Sequence, residues 1–105
     1  MPSTGEKRRH PRHEVLKAVM VRPNGEQHAA KVLDISLGGA RMCLPEDWNP
    51  SDGAHLRMYF GFDGDAATPL TGVVTRVAID HMGVEFEPEQ EARIRALLEG
   101  LLERE

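Results

Sequence analysis

Apolar and polar residues alternate through the middle of the chain. In ARMCLP, for example, Ala40 and Met42 alternate with Arg41, as expected for a strand that buries one face. Similar runs occur in AHLRMYFGF, LTGVVTRVAID and MGVEFE, and two further β-prone runs flank Asn24-Gly25, a dipeptide that accepts the positive φ angles of a tight hairpin turn. The pattern predicts about six short strands. Strands at this spacing favour an all-β antiparallel barrel, because closure removes the unpaired edges of a small open sheet.

From Pro88 the apolar spacing changes to that of a helix, which is predicted over about residues 88–104. Pro88 suits the first turn because its fixed φ is compatible with a helix start. The apolar stripe comprises Ile94, Leu97, Leu98, Leu101 and Leu102. Packing of this stripe against the barrel is the simpler interpretation, and a surface for a protein partner is the alternative.

The first 13 residues have no such pattern. After Met1 they contain no aliphatic side chain, so we expect residues 1–13 to form a flexible arm outside the folded domain of residues 14–105. The arm carries four basic side chains against Glu6 alone, although the whole chain has a net charge of −4. Because the domain itself is acidic, binding of a nucleic acid polymer is disfavoured, whereas a small anionic ligand suits the arm.

The composition also indicates a location. Cys43 is the single cysteine, so no internal disulfide is expected and a reducing cytoplasm suits the chain. No apolar run approaches the roughly 20 residues that a membrane-spanning helix needs. We therefore expect a cytoplasmic protein without a membrane span.

The turn DISLGG carries polar residues with a possible function. Asp34 and Ser36 are expected to point outward together, since residues two apart on a strand share a face. Gly38 and Gly39 allow either a sharp turn or the close approach of a ligand to the backbone. Asp, Ser and Gly are also ordinary turn formers, so the turn alone does not identify a site.

The arm and the turn offer complementary chemistry. The planar guanidinium of arginine matches phosphate oxygens, and it also matches the O6 and N7 acceptors of guanine. The carboxylate of Asp34 only accepts hydrogen bonds, so it suits the opposite edge of guanine, where N1–H and the exocyclic amine are donors. Together these segments favour a guanine nucleotide with exposed phosphates.

Two motifs in this order resemble those of the PilZ domain, a bacterial receptor domain for cyclic di-GMP. The arm gives R-x-x-x-R as Arg8 and Arg12, and the turn gives D-x-S-x-x-G as Asp34, Ser36 and Gly39. The similarity continues through GVEF at residues 83–86 and covers nearly the whole chain, as in a stand-alone PilZ protein.

The resemblance implies a six-stranded barrel with a C-terminal helix and a set of residues that bind cyclic di-GMP. Arginines of the arm would contact its phosphates and Hoogsteen edges, and the turn would hold a guanine base. Arg76 is a candidate to stack on guanine where some PilZ domains place an aromatic side chain, and an exposed strand arginine is the alternative. The implied binding residues are Arg8, Arg9, Arg12, Asp34, Ser36, Gly38, Gly39 and Arg76.

Other classes of function find less support in the sequence. No base lies beside a plausible nucleophile, so an enzyme is not expected. The histidines are scattered, so neither a metal site nor a cofactor is predicted. A receptor that passes the cyclic di-GMP signal to a protein effector is the favoured function. The alternatives are a ligand-independent interaction domain that uses the C-terminal helix, and a small RNA-binding protein that uses the arm.

Overall fold

The computed structural model describes residues 15–62 and 66–103, which form six strands and one helix. The strands are β1 (Lys17–Val21), β2 (Gln27–Ile35), β3 (Gly39–Cys43), β4 (His55–Gly61), β5 (Thr68–Val77) and β6 (His81–Phe86), followed by α1 (Glu91–Glu103). Neighbouring strands are antiparallel and close into a barrel in the order β1-β2-β3-β6-β5-β4. This confirms the all-β barrel with a C-terminal helix, whereas the predicted arm lies outside the described residues.

Methionine fills much of the barrel interior. Four methionines, Met20, Met42, Met58 and Met82, are 0% exposed. Their unbranched side chains adapt to the irregular space inside a small barrel. Phe60 packs edge-to-face on Phe86 with ring centroids 5.8 Å apart. The inward-facing residues of all six strands therefore form one core.

The first hairpin confirms the strand pair predicted around Asn24-Gly25, but its turn is longer than two residues. Arg22 N–H donates to the Glu26 carbonyl at 2.8 Å, so the turn spans residues 22–26. The positive φ falls on Gly25 alone, at 91°. Asn24 contributes its side chain instead, because its Oδ1 accepts a hydrogen bond from Glu26 N–H at 3.0 Å.

Helix α1 begins at Glu91, three residues after Pro88. Glu89 has a φ of 72°, a left-handed conformation that cannot belong to the helix. The side chain of Gln90 then joins the helix start to β5. Its Oε1 accepts a hydrogen bond from Thr71 N–H at 2.8 Å and its Nε2 donates to the Thr71 carbonyl at 2.9 Å.

The apolar stripe of α1 mostly packs on the barrel. Ile94 is buried in the core, and Leu97, Leu98 and Leu101 pack partly buried against it. Leu102 is 70% exposed. The packing interpretation is therefore confirmed for four of the five stripe residues. Within the described part of the chain, no helix is long and apolar enough to cross a membrane.

The loop between β3 and β4 covers the end of the barrel away from the DISLGG turn. Trp48 stacks on His28 of β2 with ring centroids 4.7 Å apart, and the Arg22 guanidinium lies 5.5 Å from the Trp48 ring. His28 is six residues from Asp34 along β2, or roughly 20 Å at the usual rise of a strand. Trp48 therefore anchors this loop, far from Asp34.

Candidate functional site

The DISLGG turn connects β2 to β3 and is held by backbone hydrogen bonds. Ser36 N–H donates to the Gly39 carbonyl at 2.8 Å, which closes the turn on itself. Phe86 N–H donates to the Gly38 carbonyl at 2.9 Å, which ties the turn to the end of β6. The side chains of Asp34 and Ser36 are exposed at this end of the barrel, as predicted.

The two glycines of the turn differ in their surroundings. A Cβ built on Gly39 would collide with the carbonyl oxygen of Val84 in β6, whereas a Cβ on Gly38 would meet no atom within 4 Å. The sequence left open whether glycine serves a sharp turn or the approach of a ligand. At Gly39 the structure gives a different reason, since glycine is required there for the close approach of β6.

A β-bulge turns Asp34 outward. Val32 pairs with Met42 and Asp34 pairs with Arg41, so Leu33 is an extra residue in β2. Without the bulge Asp34 would share the inward face of Val32, which packs against the core. The outward direction predicted for Asp34 is confirmed, but the bulge, rather than simple alternation, produces it.

A second bulge has the same effect on β5. Val74 pairs with Val84 and Arg76 pairs with Gly83, so Thr75 is the extra residue. Val74 is buried in the core, yet Arg76 two residues later is exposed. The outer surface of the barrel therefore gains an arginine at a position that strict alternation would point inward.

The two bulges bring four residues into one row across the outside of the barrel. Asp34 pairs with Arg41, Arg41 pairs with Gly83, and Gly83 pairs with Arg76. In this row the carboxylate of Asp34 lies beside the guanidinium of Arg41. Gly83 then contributes no side chain, and Arg76 follows on β5. Asp34 on β2 and Arg76 on β5 both point outward, but β3 and β6 lie between them, so the two residues are halfway round the closed six-stranded barrel from each other.

Arg41 forms an ion pair with Asp34 that the sequence did not reveal. Arg41 Nε lies 3.0 Å and Nη2 lies 2.8 Å from the same carboxylate oxygen, Oδ2 of Asp34. The side chains of Arg41 and Asp34 are 53% and 62% exposed, so water and ligands reach both of them. Alternation in ARMCLP indicates that Arg41 points outward, but its partner depends on the shifted register next to the bulge.

Asp34 also lies at the edge of a groove of about 460 Å³ between β2 and α1. Its other lining residues are apolar, namely Leu16, Val32, Leu33, Ile35, Leu98, Leu101 and Leu102. Asp34 therefore lies between Arg41 on one side and an apolar groove on the other.

Each histidine of the described residues lies beside a carboxylate. Nδ1 of His28 is 2.9 Å from Asp47, Nδ1 of His81 is 2.8 Å from Asp80, and Nδ1 of His55 is 2.8 Å from Glu87. The hydrogen bonds from His28 and His81 lower the pKa values of Asp47 and Asp80. Within residues 15–62 and 66–103 no three His, Cys, Asp or Glu side chains form a group that could hold a metal ion.

The structure thus brings Asp34, Ser36, Gly38 and Gly39 together at one turn, whereas Arg76 lies on β5, which is separated from β2 by β3 and β6. Arg8, Arg9 and Arg12 lie outside the described residues. The described residues form a closed barrel that displays a polar turn and exposed arginines on its outside. The PilZ domain family model matches residues 6–104, and the chain belongs to the PilZ domain family.

Solved structures of PilZ domains share the fold. The PilZ domain of CeSA from a cellulose-synthesizing bacterium matches with a TM-score of 0.68 and 17% identity, covering 84% of this chain and 92% of that chain. The PilZ domain of YcgR from Escherichia coli, solved with c-di-GMP, matches with a TM-score of 0.70 and 14% identity, covering 92% and 93%. MrkH of K. pneumonia, in its c-di-GMP complex, matches with a TM-score of 0.69 and 20% identity, and the chain spans 53% of its length. Comparison with curated protein sequences gave no match.

Proposed function

We propose that this protein is a bacterial receptor for cyclic di-GMP that works in second-messenger signalling in the cytoplasm. The carrying observation is that the D-x-S-x-x-G turn of a PilZ barrel presents Asp34 outward, where it is paired with Arg41. Asp34 offers an acceptor for the donor edge of guanine, and the arginines of the arm supply cations for the phosphates. The solved YcgR and MrkH structures with c-di-GMP support the same ligand here.

In this proposal the arm at residues 1–13 completes the site. Arg8 and Arg12 contact the phosphates and the Hoogsteen edges of guanine, and Arg9 assists them. Charge-assisted hydrogen bonds then offset the conformational entropy lost when the arm becomes ordered. Ordering of the arm on the ligand changes the surface that a protein effector contacts, which is a disorder-to-order switch.

Isothermal titration calorimetry with cyclic di-GMP tests the proposal. We expect saturable binding to the wild-type chain, and weaker binding after Arg8→Ala or Arg12→Ala, since each removes charge-assisted hydrogen bonds worth about 1.5–3 kcal/mol. Binding should also weaken as salt is added, because the phosphate contacts are partly screened. Arg57→Ala, which removes an exposed arginine from β4, is the matched control.

Two results would contradict the proposal at different levels. If the wild-type chain gives no saturable heat with cyclic di-GMP, the chain is not a receptor for this ligand. If it binds but Arg8→Ala and Arg12→Ala retain wild-type affinity, the assignment of the arm is wrong and the ligand is held by the barrel alone.

A further inference from the structure

We propose that Arg41 is a positioning residue that gives the site its preference for guanine by holding the carboxylate of Asp34 in one orientation. The inference rests on the proposed function, because it concerns how Asp34 selects a base. It adds to the site a residue that lies outside both sequence motifs.

Two donors of Arg41 converge on one oxygen of Asp34. Nε and Nη2 of Arg41 both reach Oδ2 of Asp34, at 3.0 and 2.8 Å. Two N–H groups of one rigid guanidinium fix the position of that oxygen, which limits rotation of the carboxylate about its Cβ–Cγ bond. A carboxylate has about four lone-pair sites, so Oδ1 is still available to accept hydrogen bonds from a ligand.

The stability of the fold does not explain this ion pair. Both side chains are more than half exposed, and such ion pairs contribute only about 0–1 kcal/mol to the free energy of unfolding. The bulge at Leu33 nevertheless turns Asp34 away from the core and towards Arg41. The main physical effect of the pair is therefore to orient the carboxylate rather than to stabilise the barrel.

The surroundings of Arg41 favour the same role. Its paired residue on β6 is Gly83, and a Cβ there would meet only Oγ1 of Thr75, at 3.3 Å. The side of Arg41 away from Asp34 thus faces a gap in the row. Because residue 83 is a glycine, no side chain from this position of β6 stands beside the pair when a base approaches from outside.

A fixed carboxylate discriminates between bases more sharply than a rotating one. The Watson–Crick edge of guanine presents two adjacent donors, N1–H and the amine, whereas adenine presents an amine beside an acceptor. A site with an oriented acceptor loses its hydrogen bonds with the wrong base and keeps an unpaired polar group. Loss of Arg41 allows the carboxylate to rotate, so the preference for guanine should fall.

The test is a double-mutant cycle with two ligands that share the same phosphates. Cyclic di-GMP and cyclic di-AMP are titrated into wild type, Arg41→Ala, Arg41→Lys, Asp34→Ala and the Asp34→Ala/Arg41→Ala double variant. Cyclic di-AMP is measured by displacement of cyclic di-GMP where its direct binding is weak. Arg57→Ala is the control for loss of one exposed positive charge on the barrel.

We expect Arg41→Ala to weaken cyclic di-GMP binding about three- to tenfold with little change for cyclic di-AMP, since the contact that it orients is charge-assisted. Arg41→Lys should restore part of the preference, because an ammonium is a point donor rather than a fork. In the Asp34→Ala background, Arg41→Ala should change neither affinity. Melting temperatures should stay near the wild-type value throughout.

Three results would overturn the inference. An equal loss for both ligands would mean that Arg41 contacts the shared phosphates. Persistence of the Arg41→Ala effect in the Asp34→Ala background would mean that Arg41 does not act through Asp34. An unchanged preference in Arg41→Ala would mean that the ion pair has no part in selecting the base. Failure of the wild-type chain to bind cyclic di-GMP would instead overturn the proposed function and this inference together.

Discussion

At the scale of single residues, the D-x-S-x-x-G turn combines two different requirements. Asp34 is exposed and has an exposed partner, so its identity matters little to the core. Gly39 lies where β6 passes so closely that a side chain would collide with the Val84 carbonyl. One short motif therefore contains a residue suited to a ligand and a residue that the barrel itself requires.

This difference predicts unequal effects of two neighbouring substitutions. Gly39→Ala should lower the free energy of unfolding by about 1–3 kcal/mol, because the added methyl group forces β3 and β6 apart. Gly38→Ala should change it by no more than about 0.5 kcal/mol, since a Cβ there meets open space. Urea denaturation of both variants measures the effect, and equal stabilities would show that the contact at Val84 relaxes without cost.

The same residues show how far the sequence predicts the site. Alternation, turn chemistry and the two motifs identify Asp34, Ser36 and the glycines, and they indicate that Arg41 points outward. They do not reveal that Arg41 pairs with Asp34. That pairing follows from one extra residue in β2, and Leu33 has nothing in its side chain that distinguishes a bulge from an ordinary strand position.

At the scale of elements, the strands were the most predictable part of the chain. Alternation depends on burial of one face, which the closed barrel imposes on every strand. Strand and helix ends were less predictable because they depend on local contacts. The left-handed φ of Glu89 and the hydrogen bonds of Gln90 to Thr71, for example, delay the helix start to Glu91.

The loop between β3 and β4 gives a prediction about pH. The hydrogen bond from His28 holds the pKa of Asp47 below its ordinary value of 3.8. A carboxylate with a lowered pKa stabilises the folded state above its unfolded pKa, and that contribution is lost as pH falls through the folded pKa. Asp47→Asn should therefore lower the melting temperature at neutral pH, and its difference from wild type should shrink as pH falls below 3.8.

Thermal melting between neutral pH and pH 3 measures this effect. Asp52→Asn is the matched control, because Asp52 is an exposed carboxylate of the same loop. A melting temperature of Asp47→Asn that equals the wild-type value at neutral pH would mean that stacking of Trp48 on His28 holds the loop by itself.

At the scale of the whole molecule, the residues that form the core and the basic residues of the arm occupy different parts of the sequence. The buried apolar residues lie between Leu16 and Ile94, so the barrel and the start of its helix supply the core. The basic residues predicted to bind phosphate precede this region in the sequence. Folding and ligand binding should therefore be separable by truncation.

Deletion of residues 1–13 should abolish binding of cyclic di-GMP and leave the barrel folded, because this segment has no aliphatic side chain after Met1. Calorimetry and thermal melting of the truncated chain measure both properties. Deletion of residues 1–5 is the control, since it retains every arginine of the arm. Loss of the cooperative melting transition in the longer deletion would show that the arm is part of the folded structure.

The close approach at Gly39 also bears on how such proteins change during evolution. In the proposed function Asp34 and Ser36 hold the ligand, so a descendant that had lost this function would no longer be under selection at these two positions. Selection on Gly39 would continue, because β6 still passes against it. Within this motif, a retained glycine at position 39 would indicate that the barrel is retained, whereas a retained aspartate at position 34 would indicate that the proposed ligand binding is retained.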